Sequence, residues 1–102
     1  MASTKEYLEF ILGQLSELDG IGYRKMMGEY LLYYHEKLVG GIYDDRLLVK
    51  PTPSAIAHLP EAIYEAPYDG AKKMLLVSNV DEKEALAALF LALDHDLPMP
   101  KG

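Results

Sequence analysis

Between residues 22 and 50 the chain reads "GYRKMMGEYLLYYHEKLVGGIYDDRLLVK". Short runs rich in Tyr, Leu, Val and Met alternate with polar breaks of about two residues. Runs of this length and composition are strands, and breaks this short join only antiparallel neighbours. The expected strands are 22–28, 29–35, 37–43 and 46–50, with a fifth, "KKMLLV", at 72–77. Few chains with this pattern can avoid a β-meander.

The period changes at both ends. Ser3 and Glu6 stand at capping-box spacing, and Leu8, Ile11, Leu12, Leu15 and Leu18 then recur one helical turn apart. Gly20 and Gly22 end that pattern, so a helix is expected from about 4 to 18. Asp81 and Glu84 repeat the capping spacing ahead of "EALAALFLALDHDL". Its stripe of Leu86, Leu89, Phe90 and Leu93 is widened by Ala85, Ala88 and Leu91, so the helix is either sunk deep in the fold or faces a partner. Pro98 prevents its extension. Between the helices, "PTPSAIAHLP" predicts a helical turn from near Pro53, and "APYDG" predicts a turn with Gly70 left-handed. The class is α+β: an antiparallel sheet of about five strands with the terminal helices packed on one face, a two-layer sandwich. One domain over residues 1–102 is expected.

Composition narrows the chemistry. The chain has no cysteine, which excludes disulfides, thiolate metal sites and a cysteine nucleophile. Net charge is −6, unlike a free-standing duplex-DNA binder. The N-terminus lacks the basic-then-apolar pattern of a secretory signal, and no run approaches the ~18–20 apolar residues of a membrane span. A cytoplasmic protein with no membrane contact is the expectation.

Pairing the strands on paper sorts their side chains. With His35-Glu36 and Asp44-Asp45 as two-residue loops, Tyr34 faces Lys37 and Tyr43 faces Arg46. Period-two alternation then puts Leu31, Tyr33, Leu38, Gly40, Ile42, Leu47 and Val49 on one face, assigned to the core. The other face collects Tyr30, Leu32, Tyr34, Lys37, Val39, Gly41, Tyr43, Arg46, Leu48 and Lys50. It carries every cation of these three strands, so it is expected to be open. In this register Tyr30 lies opposite Gly41 and its ring would fold over that glycine. A slip of one residue in either hairpin would exchange the faces.

Taken together, the glycine after the methionines (Met26-Met27-Gly28), the "YLLYY" strand, the Gly40-Gly41 strand, the "DDRLLVK" hairpin and "YDGAKKMLLV" resemble the N-terminal domain of the TfoX/Sxy family. The resemblance spans nearly the whole chain. It implies an α+β two-layer domain with terminal helices around an antiparallel sheet. Members are known for regulating natural competence in some bacteria, and longer ones carry a second, C-terminal helical domain. The resemblance supplies no catalytic residues.

The remaining candidates are weak as chemistry. Asp44 and Asp45 fall in a turn, where carboxylates do not converge on a substrate. His35, His58 and His95 are scattered, and a histidine in "DHD" at a helix C-terminus is favoured there by the helix dipole. No nucleophile elbow or phosphate loop is present. The expectation is a non-enzymatic interaction or regulatory domain without metal or cofactor, acting as a homodimer or on a protein partner. Its candidate face is Tyr30, Leu32, Tyr34, Val39, Tyr43, Arg46, Leu48 and Lys50. The alternative is single-stranded nucleic-acid binding on the same tyrosines and cations.

Overall fold

A computed structural model describes residues 3–99; residues 1–2 and 100–102, the ends of the expected domain, lie outside the described residues. Its meander is built by three two-residue turns. Strands β1 (Ile21–Met26), β2 (Glu29–Tyr34), β3 (Lys37–Tyr43) and β4 (Arg46–Val49) are joined through Met27-Gly28, His35-Glu36 and Asp44-Asp45. All six turn residues have positive φ, between 52° and 85°, as the hairpin turns matched to strand twist require. Five of the six are not glycine, so a Cβ is held in the left-handed region at each.

The chain then forms α2 (Pro53–His58), a two-residue strand β5 (Tyr64–Glu65), β6 (Met74–Leu76) and α3 (Lys83–Asp96), after an initial α1 (Lys5–Gln14). The sheet has six antiparallel strands in the order β1-β2-β3-β4-β6-β5. β5 was not legible, being only two residues long. Gly70 has φ 85°, the left-handed turn expected there. α2 begins at Pro53, as expected, with the Thr52 hydroxyl accepting from the Ala55 N–H.

The capping boxes are not formed as the spacing suggests. Thr4, rather than Ser3, caps α1 by accepting from the Tyr7 N–H, which starts the helix one position later. α1 also ends at Gln14, and Leu15 and Leu18 reach the core from the turns that follow it. α3 starts after Glu82 without a side-chain cap, so Asp81 and Glu84 make no box.

One core contains Leu8 and Ile11 of α1, Ala55 of α2, Leu86, Leu89, Phe90 and Leu93 of α3, and one face of the sheet. That face differs from the expected one in β2 and half of β3. Tyr30 pairs with Ile42, Leu31 with Gly41 and Leu32 with Gly40, but Tyr33 pairs with Leu38. Val39 is therefore an extra residue, a β-bulge. Beyond the bulge the expected sorting holds: Ile42, Leu47 and Val49 are in the core. Before it the faces are exchanged, and Tyr30, Leu32, Tyr34 and Val39 are buried under the helices. Gly40 is obligatory at this point, because a Cβ there would lie 2.2 Å from the Leu48 carbonyl oxygen.

Lys37 explains how a cation can lie on the buried face. It is 9 % exposed. Its ammonium donates to the Asp94 carbonyl oxygen at 2.8 Å and lies 3.0 Å from the Asp94 carboxylate. A buried lysine needs such a pairing. The partner sits at the end of α3, 57 residues away in sequence.

Candidate interaction face

The other face of the sheet faces away from the helical layer. It presents Leu31 and Tyr33 of β2, Leu38, Gly41 and Tyr43 of β3, Arg46 and Leu48 of β4, and Met74 and Leu76 of β6. None of these residues belongs to the core shared with the helices. Leu31, Tyr33, Leu38, Tyr43 and Met74 are half-buried, whereas Leu48 is fully buried between its ladder partners Gly41 and Leu76.

Of the expected contact residues, this face holds Tyr43, Arg46, Leu48 and Lys50. The structure removes Tyr30, Leu32, Tyr34 and Val39 from it, for the bulge places them in the core. It adds Tyr33, Leu31 and Leu38, which alternation alone assigns to the core, together with Tyr68 from the loop between β5 and β6. The Gly40-Gly41 pair was the available sign of a bulge, since a strand glycine often marks one. A ring does fold over Gly41, but it is the ring of Tyr43: a Cβ on Gly41 would lie 2.7 Å from that ring and 2.7 Å from the Tyr30 carbonyl oxygen.

Pro67 and Tyr68 stand between two grooves on this face and line both. One, of about 730 Å³, runs past Met26, Met27, Tyr43 and Arg46. The other, of about 420 Å³, has Leu38, Tyr43 and Met74 with Lys50, Lys72 and Lys73. The Arg46 guanidinium is paired with the Glu65 carboxylate, and its Nε donates to the Tyr43 carbonyl oxygen at 3.1 Å. Burial, with the neighbouring Tyr68, Glu29 and Tyr33, raises the Tyr43 phenol pKa above its ordinary value. Tyr43 is therefore a neutral hydroxyl near pH 7.

Four acidic side chains, Glu29, Asp45, Asp94 and Asp96, hold parts of the fold together. Asp45 accepts from the Thr4 N–H at 2.8 Å, and Glu29 accepts from the N–H groups of Ser3 at 3.0 Å and Asp44 at 2.8 Å. Asp96 accepts from the Ser54 N–H at 2.6 Å and hydroxyl at 2.9 Å, tying the start of α2 to the end of α3. The bond from the Ser54 backbone leads the effects that lower the Asp96 pKa to about 2. At Asp94 burial acts upward, but Lys37 and His35 outweigh it and hold the carboxyl below its ordinary value. The His35 ring stacks on Tyr34 at 4.0 Å and reaches Asp94 at 3.1 Å. Among the described residues no three His, Asp or Glu side chains are grouped to hold a metal ion, and no helix is long and apolar enough to cross a membrane.

The fold is that of a small α+β domain, an antiparallel sheet covered by helices on one face and grooved on the other. The family model of the TfoX N-terminal domain matches residues 13–89, and the chain belongs to that family. It is also similar to an uncharacterized 12.7 kDa protein in the trpE 5' region of Spirochaeta aurantia, with 32% identity over 102 residues, covering 99% of this chain and 89% of the relative. No solved structure matches.

Proposed function

We propose that this chain is a non-enzymatic interaction domain, that the sheet face away from the helices is its contact surface, and that its first partner is a second copy of itself. The observation that carries the reading is the Met27 side chain. It is 96 % exposed at the tip of the β1–β2 hairpin, on the rim of the groove lined by Tyr43, Pro67 and Tyr68. A knob and an apolar groove on one surface are self-complementary, as a two-fold interface requires. Met and Tyr are enriched at the centres of such interfaces.

The non-enzymatic part rests on the tasks of the carboxylates. Asp45, Asp94, Asp96, Glu29 and Glu65 each fasten parts of the fold together. The family's association with competence regulation supports a regulatory setting in which the domain acts through protein contacts. Light scattering over a dilution series tests the reading: a dimer that dissociates on dilution is expected, and a strict monomer at the highest concentration contradicts it.

A further inference from the structure

The two grooves differ in charge, and the smaller one has the makings of a ligand site. Its floor and walls are apolar, from Leu38, Tyr43, Pro67 and Met74. Three lysines, Lys50, Lys72 and Lys73, are among the residues that line it. None of the three has a carboxylate within 4.0 Å among the described residues. Of the other cations of the sheet, Lys37 is held by Asp94 and Arg46 by Glu65, whereas Arg24 and Lys25 of the distant edge strand β1 have no carboxylate within 4.0 Å among the described residues.

The chain as a whole is acidic, with a net charge of −6. Three lysines on one groove, without a carboxylate partner among the described residues, therefore form a local positive site on a negative molecule, which attracts anions to that place. A volume of about 420 Å³ falls in the range of small-molecule sites, and an apolar lining with a few polar groups is their usual composition.

We propose that this groove binds an amphipathic organic anion. Its flat or aliphatic body lies on Leu38, Met74 and the Tyr43 and Tyr68 rings, and its carboxylate, sulfonate or phosphate is met by Lys50, Lys72 and Lys73. This goes beyond the dimer reading: the groove shares Tyr43, Pro67 and Tyr68 with the one that Met27 rims, but Met27 does not line it. Tyr68 and Pro67 wall both grooves, so an occupied anion site also fixes one wall of the contact groove.

Titration of the full chain with anilinonaphthalene sulfonate, followed by its fluorescence, tests the site. One molecule should bind per chain, with amide shift changes centred on Leu38, Tyr43, Tyr68 and Lys73. K72E/K73E should weaken binding about tenfold or more. K5E/K25E changes net charge equally but lies away from the groove, and should change affinity less than about twofold. Uncharged phenylnaphthylamine should bind more weakly than the sulfonate. No saturable binding, equal loss in both double variants, or shift changes elsewhere overturns the proposal. So does displacement by oligonucleotides that strengthens steadily with strand length, which would mark a strand-binding surface. Oligomeric state, measured separately, leaves each of these outcomes readable.

Discussion

The Asp45 carboxylate accepts a hydrogen bond from the Thr4 backbone N–H at 2.8 Å, across 41 residues of sequence. The β3–β4 turn thereby fastens the start of α1. Its own backbone joins in, since the Asp45 N–H donates to the Ser3 hydroxyl at 3.1 Å. Asp45 does this while held at φ 56°. Asp45→Ala loses the acceptor and keeps the unfavourable φ, and should cost ~2 kcal/mol in urea unfolding. Asp45→Gly also loses the acceptor but relieves the backbone, so it should cost ~1 kcal/mol less. Equal losses in the two variants would contradict this division.

Glycines in this chain differ sharply in what surrounds them. A Cβ on Gly40 would meet the Leu48 carbonyl oxygen at 2.2 Å, whereas a Cβ on Gly13, within α1, meets nothing within 4 Å. Gly40→Ala should destabilise the protein by ~3 kcal/mol or more, because backbone must move. Gly13→Ala should stabilise it by ~0.5–1 kcal/mol through helix propensity and a less flexible unfolded chain. Thermal melts of the two variants should move in opposite directions.

Lys37 and Asp94 are coupled. Lys37→Met leaves the half-buried Asp94 carboxylate without its cation and should cost ~2–3 kcal/mol, while K37M/D94L should recover much of that loss. A double variant no more stable than the sum of the single changes would argue against the coupling.

The folded-state pKa values of Asp94 and Asp96 both lie below the ordinary carboxylate value. Their stabilisation is therefore complete above the unfolded-state pKa of ~4 and is lost as pH falls towards the folded values. For Asp96 the loss should run down to about pH 2. Chemical unfolding between roughly pH 6 and 2 should show this acid limb, and Asp96→Asn should flatten it.

The meander, both long helices, Gly70 and the two tight turns at His35-Glu36 and Asp44-Asp45 are legible in the sequence, because they depend on local spacing. The faces are legible only from Gly40 onward. Alternation carries no record of one inserted residue, so Val39 inverted everything before it. Lys37 reinforced the error, since charge alone places it in water and its partner Asp94 becomes visible only when α3 packs. The result is a shift in which tyrosines matter. Tyr30 and Tyr34 hold the core, and Tyr33, Tyr43 and Tyr68 remain available for contact.

That division leads to a direct experiment on mass. Tyr30→Ser and Tyr34→Ser should unfold or strongly destabilise the chain, by ~3 kcal/mol or more, as truncated core aromatics do. Leu31→Lys and Tyr33→Lys lie on the face away from the helices and should leave circular dichroism and melting nearly unchanged. Light scattering of these two variants beside the parent chain is decisive for the contact face. A folded monomer from each variant, against a dimer of the parent, is the expected result. A parent monomer, or a dimer that survives both substitutions, contradicts the assignment of this face as the contact surface.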